Sequence, residues 1–469
     1  MESSGVNVYV ALFCFPLPSP LNKPKTPHNI SPHPTTLPQP MALLPCLLLL
    51  LLLLPFSLAA FNPCSSPSTP GDITILHINS KCSPLISSPT TPLDSLLQLT
   101  HRIDPARLSF LSSLSTFSVP IASGQHILNS AIYLLRATIG SPPQPLLLAL
   151  DSAADSSFLS SSNFSSSSTF QPLPCSSSLC PLFTPLPCSS PSSLCTYNQS
   201  YGGDSSFSAA LSQDTLHLAG DNIPSFTFGA VTSVFPGPSF PKQGLLALGR
   251  GPASLLSQTT SLYHSVFSYC LPSYNSYYFS GSLRLGPLHQ PPHIRSTPLL
   301  VNPHRPSLYY VNLTGVSVGR IRVATPPNSF TFDPYTGAGT VVDSGTVITR
   351  FVAAAYAAIR DEFRRQVNAT NGYETLGAFD TCYSTANNDV TAAPPPVVTL
   401  HLDGLDLALP AENALIHSSG RPLACLALAA APANVNAVVN VIASYQQQNH
   451  RVLVDVAGAR VGFARELCS

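Results

Sequence analysis

The sequence predicts a mostly β protein made of two similar lobes, and three observations carry that expectation. Strand-like runs recur along the body: Ile132 to Ile139, Leu146 to Leu150, Leu283 to Gly286, Leu308 to Val318, Thr340 to Asp343, Val397 to Leu402 and Arg451 to Phe463, with Gly, Pro and Asn between them. Helical patterning is sparse. Val352 to Val367 places Ala355, Ile359, Phe363 and Val367 on one face, and a second helix is expected over Ala253 to Thr260. Third, the chain is weakly duplicated. Tyr133-Leu-Leu-Arg-Ala-Thr-Ile-Gly leads through a turn to Leu146-Leu-Leu-Ala-Leu-Asp151-Ser-Ala, and Tyr310-Val-Asn-Leu-Thr-Gly-Val-Ser-Val-Gly leads through a longer loop to Gly339-Thr-Val-Val-Asp343-Ser-Gly-Thr. Each half offers a strand, a connection and an apolar strand ending in Asp-Ser-small.

With 469 residues the chain is long enough for each lobe to have its own core. Charged residues make up only 9%, and 21 Lys and Arg balance 21 Asp and Glu. That balance gives no electrostatic reason to expect nucleic acid or an acidic membrane as a partner. The lysines are Lys23, Lys25, Lys81 and Lys242, so Ser, Asn, Thr and attached sugar must solvate most of the surface.

The apolar run Leu43 to Leu54 is too short to span a bilayer comfortably and reads as the hydrophobic core of a signal peptide covering residues 41–60, cleaved near Ala60. A membrane anchor is the competing reading. Residues 1–40 are Pro-rich and have no clear place upstream of such a signal; either translation begins at Met41 or the leader is unusually long. From 61 to 118, Ser/Pro-rich stretches and a helix-like pattern carrying His101, Arg102 and Arg107 suggest a propeptide, with a disordered linker as the alternative. The lobes are expected over 131–298 and 299–469.

A carboxylate at the end of a buried strand is costly unless something compensates, and here it occurs twice in equivalent places. A lone Asp-Ser-Gly is an ordinary turn. Two carboxylates brought to about 3 Å cannot both ionise near neutrality, so they share one proton and titrate as a unit. One can then draw a proton from water while the other donates to a carbonyl oxygen. Small residues after each Asp allow close approach of the loops, and the Ser152 and Ser344 hydroxyls are placed to tie them together.

Asp151-Ser-Ala and Asp343-Ser-Gly-Thr346 resemble the paired loops of the pepsin-like aspartic proteases. The resemblance covers residues 131–469. It narrows to the plant nucellin-like branch through Phe267-Ser-Tyr-Cys-Leu-Pro272, Gly281-Ser-Leu-Arg-Leu-Gly286, Ser307-Leu-Tyr-Tyr-Val-Asn-Leu313, Phe379-Asp-Thr-Cys-Tyr383 and Gln446-Gln-Gln-Asn-His-Arg451. It implies a bilobal fold with a cleft between the lobes and Asp151 and Asp343 as the catalytic pair. Ser152, Ala153, Ser344, Gly345 and Thr346 would support the pair, and a flap hairpin would carry Tyr201, Gly202 and Gly203. It further implies an endopeptidase with an acid optimum, protein or peptide substrates, no cofactor, no metal, a monomer with no membrane attachment in the mature form, and delivery to the extracellular space or the vacuole. A protease-fold binding or inhibitor protein with weak or no activity is the alternative.

Departures from that pattern fall mainly in the first lobe. Ala153 stands where relatives carry Gly or Ser. Phe158 stands where a Trp would support the flap tyrosine through its indole N–H, and a phenyl ring has no such donor. Ala247 and Ala443 replace two glycines behind the catalytic loops, each adding a methyl to a tight spot. Of twelve cysteines, Cys14 and Cys46 fall in the leader and Cys64 and Cys82 in the propeptide, leaving eight in the body. An even number in a secreted body reads as disulfides. The resemblance pairs Cys175 with Cys195, Cys180 with Cys188, Cys270 with Cys468 and Cys382 with Cys425. A zinc site over Cys175 to Cys195 is the rival reading. Sequons at Asn163, Asn198, Asn312 and Asn368 fit a secretory route.

Overall fold

The computed structural model describes residues 73–77, 104, 108, 133–160, 164–183, 190, 193–200, 206–218, 220–235, 240–273, 281–288, 290–386, 394–418, 420–432 and 437–468. All belong to one unit, Asn62–Ser469. The expected leader and signal peptide lie outside the described residues, as do Tyr201, Gly202, Gly203, Asn163 and Cys188.

The duplication read from the sequence is a duplication of topology. In the first lobe Tyr133–Ile139 and Gln144–Asp151 form an antiparallel hairpin, and the second strand pairs in parallel with Gly244–Ala247, so that Asp151 lies opposite Ala247. In the second lobe Tyr310–Val311 pairs antiparallel with Gly339–Val342, which pairs in parallel with Val439–Ile442. Each lobe therefore ends an apolar strand in Asp with an antiparallel partner before it and a parallel partner after it. Strands buried on both faces explain the continuous Leu-Leu-Leu-Ala-Leu and Thr-Val-Val runs, where no polar alternation survives.

Nineteen of the described strands join one hydrogen-bonded network, and two four-stranded sheets complete the second lobe. A shared platform links the lobes. Val266–Cys270 from the first pairs with His450–Asp455 from the second, and a disulfide joins Cys270 to Cys468. Ile73–His77, inside the stretch expected to be a propeptide, is a strand of this platform, pairing with Tyr133–Leu135 on one side and Gly281–Leu283 on the other.

The strongest helical pattern forms Ala353–Val367, burying Ala355, Ile359, Phe363 and Val367, and stops at Asn368 in the left-handed region. The second expected helix is two short ones, Leu255–Gln258 and Thr260–Tyr263, divided at Thr259. Leu308 to Val318 is likewise divided, into Tyr310–Val311 and Leu313–Val318, and the last run turns at 456–459 between His450–Asp455 and Arg460–Arg465. The largest hairpin, Ser206–Leu218 with Asp221–Phe235, was not read from the sequence. Its Ser, Thr, Asn and Gly content suggests loop, yet Phe207, Ala209, Leu211, Leu216 and Leu218 point inward at strand spacing. In the sheet of Leu313–Val318, Val398–Leu402 and Leu405–Leu409, the side chains Ser317, His401 and Asp406 are hydrogen-bonded in series across the strands.

The disulfide framework corrects two expected pairings. Cys180 is bonded to Cys195, not to Cys188, and Cys195 is therefore not the partner of Cys175. The local ladder gives the reason. The Cys195 N–H donates to Leu173 and the Cys175 N–H donates to Ser193, so the two cysteines are offset along the strands, while Cys195 and Cys180 both turn into the same apolar cluster. Cys175 is itself disulfide-bonded, to a partner outside the described residues. Cys382 is joined to Cys425 across a directly paired position.

Candidate active site

The two Asp-Ser loops meet and interlock. The Ser152 N–H donates to Ser344 Oγ at 3.2 Å and the Ser344 N–H donates to Ser152 Oγ at 2.9 Å. The two hydroxyls are themselves 3.2 Å apart, and the Ser152 hydroxyl reaches Asp343 Oδ1 at 3.4 Å. A hydroxyl from one lobe thus touches the carboxylate of the other. Residues 192 positions apart share one small buried hydrogen-bond network, with Asp151, Ser152, Asp343 and Ser344 all nearly inaccessible.

Each carboxylate is also held by its own loop. Asp151 Oδ1 accepts from the Ala153 N–H at 2.8 Å. Asp343 Oδ1 accepts from the Gly345 N–H at 3.2 Å, and its Oδ2 accepts from the Thr346 N–H and hydroxyl at 2.8 and 2.6 Å. The residue equivalent to Thr346 in the first lobe is Ala154, which has no hydroxyl to give. Behind the loops the halves match again. The Ala247 N–H donates to Ser157 Oγ and the Ala443 N–H donates to Thr349 Oγ1, both at 3.0 Å. The methyls of Ala247 and Ala443, expected to crowd these positions, are fully buried. Ala149, Ala154 and Ala253 share the cluster of Ala247, and Ala153 and Ala431 share that of Ala443.

Phe158 fills the place expected of an indole. Its ring lies 4.8 Å from that of Phe207 and 5.8 Å from that of Phe240, so the site beneath the flap is an aromatic cluster. Strands Thr196–Ser200 and Ser206–Leu218, expected to carry the flap, are paired through Ser200 and Ser206, and the segment between them lies outside the described residues.

The Gln446-Gln-Gln string, notable in the sequence without an assigned task, supports the second loop. Gln447 Nε2 donates to the backbone oxygens of Asp343 and Ile442, and its Oε1 accepts from the Tyr269 hydroxyl. Gln446 Oε1 accepts from the Thr349 N–H while its amide donates to Asn413 and Ala427. Gln448 donates to the Tyr133 hydroxyl in the first lobe.

A second missed residue comes from far upstream. The buried carboxylate of Asp104 accepts from the Val347 N–H at 2.9 Å and the Ile348 N–H at 3.4 Å, and pairs with Arg350 Nε at 3.2 Å. Burial pushes its carboxyl above the usual range, against the opposing pull of Arg350 and the two N–H groups. Leu108, fully buried, shares a cluster with Ala153, Leu308, Tyr310 and Val441. The sequence had drawn attention to the basic residues of this stretch. The acid is what reaches the second catalytic loop.

Among the described residues no group of His, Cys, Asp and Glu is arranged to hold a metal ion, and no helix is long and apolar enough to cross a membrane.

Two lobes that each deliver one aspartate to a common network are the architecture of the pepsin-like aspartic proteases. Comparison with known proteins agrees. Residues 133–287 match the family model described as "Xylanase inhibitor N-terminal", and residues 308–465 the one described as "Xylanase inhibitor C-terminal". Aspartyl protease 25 of Oryza sativa subsp. japonica is 56% identical over 413 residues, covering 82% of this chain and 92% of the relative. Aspartyl protease AED3 of Arabidopsis thaliana is 51% identical over 446 residues, covering 90% and 98%. Among solved structures, conglutin gamma, a basic 7S globulin from lupine seeds, superposes with a TM-score of 0.58 at 19% identity, covering 72% of this chain and 93% of the globulin. The chain belongs to the plant pepsin-like aspartyl protease family.

Proposed function

We propose that this protein is a secreted endopeptidase with an acid optimum, in which Asp151 and Asp343 activate a water between them. The observation that carries the reading is the reciprocal interlock of Ser152 and Ser344, which brings the two aspartate loops into one buried network. In the mechanism for which aspartic proteases are the standard example, one carboxylate of the pair acts as base and the other as acid. The ionised member removes a proton from water. The protonated member donates to the scissile carbonyl oxygen, and the tetrahedral intermediate forms without a covalent bond to the protein. Gly345, Thr346 and Ala153 hold the carboxylates at fixed angles, so little reorganisation is needed at the moment of reaction.

In the same reading, residues 61–118 are a removable segment that keeps the unprocessed chain latent. Its support is the docking of Asp104 against Val347, Ile348 and Arg350 and of Leu108 beside Ala153, both immediately next to the catalytic loops. Asn198 and Asn368 are exposed and Asn312 is partly exposed, as sugar attachment on a secretory route requires. The extracellular space is the destination this reading favours.

Two features favour the rival role of a non-cleaving binding protein: the family models carry the name of xylanase inhibitors, and Ala153 and Phe158 depart from the first-lobe pattern. Hydrolysis of a denatured globular protein at about pH 4, with and without a pepstatin-type transition-state mimic, separates the roles. The proposal expects hydrolysis that the mimic abolishes. Intact substrate after prolonged incubation with the processed protein would favour the binding role.

A further inference from the structure

The first catalytic loop contains a second carboxylate that the two-aspartate mechanism does not use. Asp155 lies one helical turn's worth of sequence beyond Asp151, and both its oxygens are engaged by backbone and side chain from elsewhere. Oδ1 accepts from the Gly251 N–H at 2.8 Å, and Oδ2 accepts a hydrogen bond from the Ser307 hydroxyl, on the segment that opens the second lobe. The seat is cut to fit. A Cβ on Gly251 would lie 2.4 Å from Asp155 Cγ, and one on Gly249 would lie 2.4 Å from the Ala154 oxygen and 2.9 Å from Asp155 Oδ1. Both glycines serve close approach to this carboxylate and its loop, not an unusual backbone angle.

The contacts around the seat tie the catalytic loop to both lobes. The Leu248 N–H donates to the Asp151 oxygen and the Gly249 N–H to the Ala154 oxygen, each at 2.8 Å. Arg250, between the two glycines, donates from Nη2 to the Leu308 oxygen at 2.7 Å and stacks 5.7 Å from the centre of the Tyr309 ring. The Tyr309 hydroxyl donates back to the Leu248 oxygen. The charged and titratable groups facing Asp155 are thus Asp151 on its own loop, Arg250 on the adjoining loop and Tyr309 on the second lobe.

We propose that Asp155 is a positioning residue for the catalytic pair, clamping the Asp151 loop against Ser307 of the second lobe and, when ionised, adding a negative charge beside the pair that sets the upper pH limit of activity. The inference rests on the reading of Asp151 and Asp343 as the dyad. Burial pushes the Asp155 carboxyl up to about 6, over the opposing hydrogen bonds from Ser307 and Gly251; Asp151 adds to the rise and Arg250 opposes it. In acid, then, Asp155 is neutral. As pH rises through that value it becomes an anion. An anion added beside the pair disfavours a second negative charge there.

The direction of the effect distinguishes this from simple support of the fold. Asp155→Asn keeps the shape, retaining an acceptor for Gly251 and offering its amide to Ser307, but never ionises. The acid limb of the kcat/KM profile stays in place, because Asp155 is neutral there in both proteins, and the alkaline limb moves to lower pH by roughly half a unit. Ser307→Ala, which loosens the clamp and leaves the carboxyl, lowers kcat severalfold with KM nearly unchanged. The experiment is the pH profile of cleavage of a fluorogenic peptide by the processed parent, Asp155→Asn and Ser307→Ala, with thermal unfolding measured alongside. A profile for Asp155→Asn that superimposes on the parent's, or that loses amplitude with both limbs fixed, overturns the proposal while leaving the dyad intact. A parent without activity overturns the dyad reading and this one with it.

Discussion

The two Asp-Ser loops occupy equivalent places and are held by different means. In the second, Asp343-Ser-Gly-Thr, one loop supplies two N–H groups and a hydroxyl to its own carboxylate. In the first, Asp151-Ser-Ala-Ala-Asp, the hydroxyl position is Ala154, and the loop is fastened through Asp155 to Gly251 and Ser307. The second loop holds its own carboxylate, while Gln447 braces its backbone from outside. The first depends on its neighbours, and its neighbours belong partly to the other lobe. A protein built by duplication can therefore keep its chemistry symmetric while its support diverges.

The largest expected effect tests whether the two lobes contribute equally to the chemistry. Asp151→Asn and Asp343→Asn should each lower kcat by roughly a thousandfold or more, since either change removes the shared proton arrangement. If one variant retains most of the activity, the pairing of lobes is wrong. Next in size is the latency contact of Asp104 with the second loop. Removing one partner of a buried ion pair costs about 3–5 kcal/mol in the interaction that holds it. Asp104→Ala should accordingly give an unprocessed chain that cleaves peptide as secreted, whereas the parent requires removal of the segment; equal latency in both proteins would contradict the docking role.

Thr346→Ala sharpens the comparison of support. It removes the hydroxyl that donates to Asp343 Oδ2 at 2.6 Å, a hydrogen bond to a charged group worth about 1.5–3 kcal/mol. Activity should fall by about one to two orders of magnitude, with KM nearly constant. The reverse change in the first lobe, Ala154→Ser, should alter little, because that loop is already braced from outside. The smallest effect is expected at Ala153→Gly, which copies Gly345 of the second loop: less than about a threefold change in kcat/KM, since Ala153 uses its N–H and not its methyl to hold Asp151.

Much of this arrangement was legible in the sequence. The apolar strands ending in Asp151 and Asp343 were readable because a carboxylate at a buried strand end is an anomaly, and its repetition fixed the pairing of the halves. The helix Ala353–Val367 was readable from its stripe. The hairpin of Ser206–Leu218 and Asp221–Phe235 escaped because its inward face is broken by the buried Asp214, whose Oδ1 accepts from Ser167 and Thr169 of a distant loop. The Cys180–Cys195 bond escaped because disulfide connectivity depends on ladder offset, which spacing does not encode. Asp104 and Asp155 were passed over for a common reason. Each carboxylate is explained only by partners more than ninety positions away, Val347 for one and Gly251 for the other. Short-range patterns report which face is buried; they do not report who waits there.

The most direct test of the central claim is the pH dependence of kcat/KM for the processed protein on a denatured protein substrate, measured beside its Asp151→Asn and Asp343→Asn variants. A bell with both limbs below neutrality, lost in both variants, is the predicted result. Activity that peaks above neutrality, or that survives in either variant, would contradict the account.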